Sequence, residues 1–238
     1  LRDGLRLLMH RGDLTGQCPA GKMLAVSLPL NEIEKTLSSL KHVNITVAAT
    51  NSLRQTVLAG QCRDIEALSD HLKSEGIKAQ LLSTSHAFHS DLMSSMVEEF
   101  HKIAVDVMHH TPKINWFSTV LSRKIEAEEV NANYWCQHIV QPVKFEQTMS
   151  VLREDIASRY PQIHQLECIE LGPQPVLSAI LRSQVTHLKH AKELSLSALP
   201  MLKKPINGRY TDVYCLSIVI SSLYLKGADI KWPRQIPH

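Results

Sequence analysis

The sequence predicts an α/β fold, and three observations support this prediction. Short apolar runs of strand length recur between residues 22 and 83. Between these runs lie segments whose apolar residues return every three or four positions, as they do on one face of a helix. With 238 residues, of which 44% are hydrophobic, the chain is also long enough to bury a sizeable core.

The first part of this region reads as strand, helix, strand. Residues 22–28 form the first strand candidate. A helix is predicted next, because it begins behind a proline and an asparagine and its apolar residues have helical spacing: Ile33, Leu37 and Leu40. The β-branched residues of 43–50 then predict a second strand.

The second part repeats the order. Asn51-Ser52 is a turn signal, and residues 56–59 form a third strand candidate. Ile65, Leu68 and Leu72 mark one helix face, Gly76 ends that helix, and residues 77–82 return as a strand. The order β-α-β-β-α-β is the ferredoxin-like pattern.

Two further helices are predicted downstream. The first follows residue 90, where Ser90 or Asp91 can cap it, and its apolar stripe predicts core positions: Leu92, Met96, Phe100, Ile103 and Val107. The second lies at 213–225, an apolar run of 13 residues. A transmembrane helix needs roughly 20 residues, so the run predicts a packed helix.

The composition limits the binding partners and the cellular compartment that we expect for this chain. The formal net charge is +3 with acids and bases interspersed, which argues against nucleic acid and membrane surfaces as partners. Five scattered cysteines and the lack of a signal-peptide pattern favour a reducing compartment, so we expect a cytoplasmic location. None of the 13 histidines falls in a zinc-type spacing, and we expect no metal and no cofactor.

The most informative motif is His86-Ala-Phe-His89, which follows a strand candidate and precedes a helix. A histidine in such a loop can be exposed and yet held in place. Its neutral imidazole can accept a proton near pH 7, as a general base does. Taken alone, the motif fits a packed or surface histidine better than a functional one.

Five segments together resemble the acyltransferase domain of type I polyketide and fatty acid synthases. They occur in the family's order and extend over most of the chain: Leu5-Arg-Leu-Leu-Met-His-Arg11-Gly12, Val47-Ala-Ala-Thr-Asn51 with Val57-Leu-Ala-Gly60, Ser85-His-Ala-Phe-His-Ser-Asp-Leu-Met93, Tyr134-Trp135-x-x-His138-x-x-x-Pro142-Val-x-Phe145, and Glu170-Leu-Gly-Pro-x-Pro-Val-Leu177. Five matches in order are far more specific than any one of them.

The resemblance implies a domain organisation. A partial α/β hydrolase-like large subdomain would comprise residues 1–21 and 84–200, with a ferredoxin-like subdomain inserted at 22–83. Residues 201–238 are similar to the linker that follows the acyltransferase in large synthases, through the run from Leu223 to Trp232. The family's nucleophile is a serine in a Gly-x-Ser-x-Gly turn. Residues 1–238 contain no such pattern, so we expect the serine upstream of Leu1 and the chain alone to be inactive.

The resemblance also implies the roles of individual residues. His89 aligns with the catalytic base, and the main-chain carbonyl of His138 is expected to orient it. Arg11 aligns with the arginine that binds the free carboxylate of a malonyl group, although without the resemblance its position after an amphipathic helix favours a helix C-terminal cap. Asn51 is expected near the substrate, although an Asn-Ser turn needs no function.

Substrate choice is expected at His86 and Phe88. In this family His-Ala-Phe-His accompanies malonyl loading, and Tyr-Ala-Ser-His accompanies methylmalonyl loading in many members. The bulk of Phe88 would leave less room for an α-methyl branch. One methyl group is worth only about 1 to 3 kcal/mol of discrimination, so the preference would be modest.

The expected partners follow from the same resemblance: malonyl-CoA, the phosphopantetheine arm of an acyl carrier protein, and neighbouring synthase domains. Two other functions stay open. One is a catalytically inactive remnant that acts as a scaffold or docking domain. The other is an unrelated hydrolase of the same body fold, which would have no reason to keep Arg11.

Overall fold

The computed structural model describes residues 1–40, 44–185, 194–203 and 212–232, which form two compact units, Leu1–Asp155 and Ile156–His238. The helices are α1 (Arg2–Thr15), α2 (Leu30–Ser39), α3 (Cys62–Ser74), α4 (Val97–Val105), α5 (Ala132–Val140), α6 (Phe145–Arg159), α7 (Val176–Val185) and α8 (Asp212–Leu225). The strands are β1 (Lys22–Val26), β2 (Ile45–Ser52), β3 (Gln55–Gly60), β4 (Ala79–Leu81), β5 (Phe117–Ser118), β6 (Arg123–Lys124), β7 (Gln165–Glu170) and β8 (Ser195–Pro200). Two short 3-10 helices cover Asp91–Met96 and Ala127–Glu129.

The predicted β-α-β-β-α-β order is confirmed between β1 and β4. The four strands form one sheet in the order β2-β3-β1-β4, and every neighbouring pair is antiparallel. The predicted second strand begins at residue 43, which lies outside the described residues, and β2 begins at Ile45. The other boundaries differ from prediction by a few residues, as expected where helices fray and strands end in turns.

The core of this sheet lies between its strands and the helices α2 and α3. It contains the apolar residues that the periodicity predicts, together with those of the two central strands: Leu24, Val26, Ile33, Leu58, Ile65, Leu68 and Leu72. Ile33, Ile65 and Leu72 are almost completely buried. Burial of a side chain of this size contributes about 1.5 to 3 kcal/mol, so this cluster stabilises the subdomain.

A second core lies among α1, the 3-10 helix at Asp91–Met96, α4 and α5. Met96 and Phe100 are buried in it, as predicted, against residues of α5 such as Cys136. The cap is also as predicted, since the Ser90 side chain accepts a hydrogen bond from the Leu92 amide. The helix differs from prediction in its first six residues, which are 3-10 instead of α.

The unit Ile156–His238 contains a parallel pair of strands, β7 and β8, with α7 between them in sequence. The carboxylate of Glu170, at the end of β7, accepts hydrogen bonds from the amides of Leu177 and Ser178. These are the unpaired donors at the start of α7, so the acid fixes that helix end.

Helix α8 covers the predicted apolar run, but it packs through one face only. Cys215 and Val219 are buried, whereas Val213 and Leu225 are largely exposed. In the part of the chain that the structure describes, no helix is long and apolar enough to cross a membrane. Residues 204–211 and 233–238 of the predicted linker lie outside the described residues, and the predicted subdomain boundaries stay a prediction.

Candidate active site

The loop that carries His86 and His89 is held on both sides. Its first residue, His86, forms an isolated antiparallel bridge with Ala20, and the amide of Gly21 donates to the carbonyl of Ser85 at 3.3 Å. At its end the hydroxyl of Ser90 donates to the carbonyl of Ala87 at 2.6 Å, in a buried setting. A loop fixed in this way can hold an imidazole in one position.

His89 has a left-handed backbone conformation, with φ of 58°. Only a few per cent of non-glycine residues have positive φ, and histidine is among the residues enriched there. Such a conformation costs about 1 to 3 kcal/mol and persists only where the surrounding structure determines it. The sequence gives no signal for this conformation, because the residue is not a glycine.

The His89 ring is oriented by a backbone carbonyl. Its Nδ1 lies 3.0 Å from the carbonyl oxygen of Gln141. A carbonyl only accepts hydrogen bonds, so Nδ1 carries the proton and Nε2 keeps its lone pair. Burial lowers the pKa of His89, and Arg11 lowers it further, while the bond to Gln141 acts in the opposite direction. The imidazole is therefore neutral at pH 7 and available as a base.

The expectation that the carbonyl of His138 orients the base is wrong, because Gln141 supplies that carbonyl. His138 lies inside the last turn of α5, where a carbonyl points along the helix axis. Gln141 is the C-cap and is extended, with φ −74° and ψ 148°, so its carbonyl turns away from the helix. The sequence does contain a signal for this, since the residue before Pro142 is restricted to extended conformations and helices end there.

The segment that carries Gln141 is itself fixed by β2. The amide of Val143 donates to the carbonyl of Ala48, and the amide of Thr50 donates to the carbonyl of Val143, each at 2.9 Å. Val143 therefore extends the sheet by a short parallel bridge. The orienting carbonyl thus depends on the edge strand of the ferredoxin-like sheet.

Arg11 and His138 meet beside His89. Arg11 Nη1 lies 3.3 Å from His138 Nδ1, and the His138 and His89 rings are 6.1 Å apart in an edge-on arrangement. The rings of Tyr134 and Trp135 lie 6.2 Å from the ring of His138. Burial, followed by the charges of Arg11 and His89, lowers the pKa of His138 to about 4, while a hydrogen bond to its own backbone acts in the opposite direction. His138 is therefore a neutral acceptor beside a cation.

Arg11 borders an apolar cleft of about 350 Å³ beside α1. The cleft is lined by the N-cap of α1 and by residues of α1, α4 and α5: Leu1, Gly4, Leu5, Leu7, Leu8, Arg11, Phe100 and Trp135. Burial lowers the pKa of Arg11, although an arginine keeps its charge at any ordinary pH. A cation at the border of an apolar cleft is suited to a ligand that has both an anionic group and apolar parts.

The remaining predicted site residues are Phe88, His86 and Asn51, and each has contacts of its own. Phe88 packs against the second core and against a cluster that contains Ala48 and Ala87, and its ring meets the His86 ring edge-on at 6.2 Å. His86 Nδ1 lies 2.8 Å from the hydroxyl of Ser85. Asn51 lies in the β2–β3 hairpin, where its Nδ2 is 3.5 Å from Gln55 Oε1, and its role in substrate binding stays a prediction. Among the described residues, no three His, Cys, Asp or Glu side chains form a group that could hold a metal ion.

Comparison with known proteins identifies the family. Residues 1–211 match the model of the acyl transferase domain. The chain is 31% identical over 235 residues to the non-reducing polyketide synthase terA of Aspergillus terreus, covering 97% of this chain and 10% of that protein. It is 31% identical over 181 residues to the polyketide synthase GfsA of Streptomyces halstedii, covering 76% of this chain and 2% of that protein.

Solved structures agree with these matches. The acyltransferase domain from the second module of the salinomycin polyketide synthase superposes with a TM-score of 0.78 at 28% identity, over 95% of this chain and 49% of that one. A malonyl CoA-acyl carrier protein transacylase from Burkholderia pseudomallei gives a TM-score of 0.70 at 26% identity, over 79% of this chain and 63% of that one. The chain spans about half of the salinomycin domain and at most 10% of the two synthases. It has the mixed α/β fold of these domains and belongs to the acyl transferase domain family.

Proposed function

We propose that this chain supplies the base and the acyl-carboxylate site of an acyltransferase that moves malonyl groups from malonyl-CoA to an acyl carrier protein. The observation that carries the proposal is the geometry of His89, whose Nδ1 is fixed on the Gln141 carbonyl at 3.0 Å. This hydrogen bond leaves Nε2 as the only ring nitrogen that can take a proton. A general base requires such a fixed and neutral nitrogen.

The reaction divides into two acyl transfers. In the first, His89 Nε2 takes the proton of a serine hydroxyl while the serine oxygen attacks the thioester carbonyl of malonyl-CoA. The bond from carbon to sulfur breaks, and the CoA thiolate receives the proton from His89. In the second, His89 takes the proton of the pantetheine thiol, whose sulfur attacks the acyl-serine, and the serine oxygen leaves with that proton. The serine is expected in a Gly-x-Ser-x-Gly turn, a pattern absent from residues 1–238.

Arg11 is the group that would recognise the malonyl carboxylate. A guanidinium binds a carboxylate through two parallel hydrogen bonds, which fixes the orientation of the acyl group as well as its charge. The partial burial of Arg11 strengthens such a contact, because less water competes for the ions. An acetyl group offers no carboxylate, so Arg11 would favour malonyl over acetyl.

Phe88 would limit the size of the substituent on the α-carbon of the acyl group. The ring is partly buried and packs against two core clusters, which restricts its freedom to move away from a methyl branch. His86 lies against the edge of the same ring. This packing supports the expected preference for malonyl over methylmalonyl, on the order of 1 to 3 kcal/mol. The partners would be malonyl-CoA, an acyl carrier protein and the neighbouring domains of a synthase, in the cytoplasm.

The experiment is acyl loading by a hybrid domain. The hybrid joins residues 1–238 to the part of the salinomycin second-module acyltransferase domain that has no counterpart in this chain. Incubation with malonyl-CoA should give a malonyl adduct on the serine of that part, measured by mass spectrometry. His89→Ala should slow loading by roughly a hundred to ten thousand-fold, the usual contribution of a general base. The matched control is His101→Ala, which removes a histidine that contacts Asn133 and has no role in the proposed mechanism.

Arg11→Ala tests the substrate in the same hybrid. Loss of a hydrogen-bonded charge costs roughly 1.5 to 3 kcal/mol, so malonyl loading should fall while acetyl loading gains relative to it. Equal losses for both thioesters would remove Arg11 from substrate recognition. Residues 1–238 alone should form no malonyl adduct. A hybrid that folds but takes no malonyl group would favour the scaffold alternative over the enzyme.

A further inference from the structure

His138 has the geometry of a positioning residue, although its own carbonyl does not orient the base. Its ring contacts Arg11 Nη1 at 3.3 Å, lies 6.1 Å from the ring of His89, and packs beside Tyr134 and Trp135. The proposed mechanism assigns no role to its side chain. The contact with Arg11 indicates one.

We propose that the neutral His138 ring holds the Arg11 guanidinium in place by accepting its hydrogen bond at Nδ1, and thereby presents Arg11 with its full charge to an anionic acyl group. Arginine has donors only, so His138 Nδ1 must be the acceptor in the contact of 3.3 Å. The proton of the neutral ring then resides on Nε2. This inference rests on the proposed function, because it assigns the means by which Arg11 is oriented for its carboxylate.

The choice of an uncharged acceptor has a physical reason. An aspartate in the same place would orient Arg11 equally well, but its negative charge would satisfy the guanidinium and compete with the ligand. A neutral imidazole orients the cation and leaves its charge unbalanced. The charged and titratable groups that act on His138 are Arg11 and His89, and both disfavour a second positive charge, which keeps the ring neutral.

The two histidines of the site are consequently expected in opposite tautomers. His89 donates from Nδ1 to Gln141 and has a free lone pair at Nε2, whereas His138 accepts at Nδ1 and carries its proton at Nε2. The assignment follows from the partners, because a carbonyl cannot donate and a guanidinium cannot accept. Opposite tautomers at neighbouring histidines are directly measurable.

The first test is nitrogen-15 spectroscopy of the imidazole rings in the full 238-residue chain at pH 7. The signals of each ring are assigned by their loss in His89→Asn and His138→Asn. We expect His89 protonated at Nδ1 and His138 protonated at Nε2, and we expect Arg11→Met to turn His138 into a mixture of tautomers. A His138 ring protonated at Nδ1 in the wild type, or unchanged by Arg11→Met, would overturn the proposal.

The second test is the affinity of the same chain for malonate, measured by calorimetry in three variants of His138. Asn keeps an acceptor near the position of Nδ1, Phe keeps the ring and removes the acceptor, and Asp keeps the acceptor but adds a negative charge. We expect His138→Asn to stay close to wild type, and the Phe and Asp variants to weaken binding by roughly tenfold or more. His101→Phe is the control for an equal change at an unrelated histidine.

The rank order of malonate affinity among the His138 variants distinguishes a positioning role of this ring from a packing role. If His138 served only to fill space, Phe would be tolerated better than Asn, because it preserves the ring contacts with Tyr134 and Trp135. That order would overturn the proposal. Failure of the proposed function looks different: wild type would bind no malonate while the tautomers and their dependence on Arg11 remain as expected.

Discussion

Replacing Gly21 by alanine should destabilise the fold at the point where the sheet meets the loop that carries His86 and His89. A β-carbon at Gly21 would lie 2.6 Å from the β-carbon of Ala87, and 2.9 Å from both the Ala87 amide nitrogen and the Gly60 carbonyl oxygen. All three atoms belong to the backbone or are attached directly to it, so no side-chain rotation can relieve the contact. Ala87 is completely buried and lies two residues before His89.

The expected loss follows from the cost of overpacking. Inserting a methyl group into a tightly packed site costs about 1 to 3 kcal/mol, because the backbone must shift. Such a shift would also stretch the hydrogen bond from the Gly21 amide to the Ser85 carbonyl, which is already 3.3 Å long. We therefore expect Gly21→Ala to lower the free energy of unfolding by about 1 to 3 kcal/mol.

The assay is urea unfolding followed by circular dichroism, with the midpoint and the slope compared between variants. Gly12→Ala is the matched control, since Gly12 lies in the interior of α1 and an added β-carbon meets nothing within 4 Å there. The free energy of unfolding of the Gly12→Ala chain should rise by about 0.5 to 1 kcal/mol, because alanine is the better helix former. A Gly21→Ala chain as stable as wild type would refute the packing argument.

Three further predictions concern the same loop and its surroundings. His89→Gly should be more stable than His89→Ala by roughly 1 kcal/mol in urea unfolding, because both remove the ring but only glycine accepts a φ of 58° without strain; equal stabilities would contradict the strain. Ser90→Ala should cost about 0.5 to 2 kcal/mol in the same assay, since it removes the cap of the Leu92 amide, and an unchanged midpoint would count against it. The pKa of His138 is about 4 in the folded chain, so between about pH 4 and 6.5 the unfolded chain binds a proton that the folded chain does not. The free energy of unfolding should therefore rise with pH over this window, and that of the His138→Gln chain should rise less. Identical slopes of the free energy of unfolding against pH in the two chains would refute the burial of a neutral ring.

Periodicity predicts the sheet region well because local pattern and tertiary packing agree there. Ile65, Leu68 and Leu72 recur at helical spacing, and those same residues fill the core against β1 and β3. The run in α8 is harder to interpret, because a continuous apolar segment has no periodicity that tells which face packs. Only Cys215 and Val219 prove to be buried.

The site is less predictable because much of it is backbone. The carbonyl of Gln141 orients His89, yet a carbonyl is present at every residue and only the bend of the chain selects one. Pro142 is the sequence signal for that bend, and it identifies Gln141 instead of His138. The contact of Arg11 with the side chain of His138 joins residues 127 positions apart, which no local pattern can indicate.

The short bridge between β2 and Val143 gives the small sheet a direct effect on the base. The two hydrogen bonds of 2.9 Å at Val143 lie two residues beyond the carbonyl that orients His89. Any swing of the sheet away from α5 would pull on this carbonyl and tilt the imidazole out of line. The exchange rate of the Val143 amide with solvent deuterium would report each opening of this bridge.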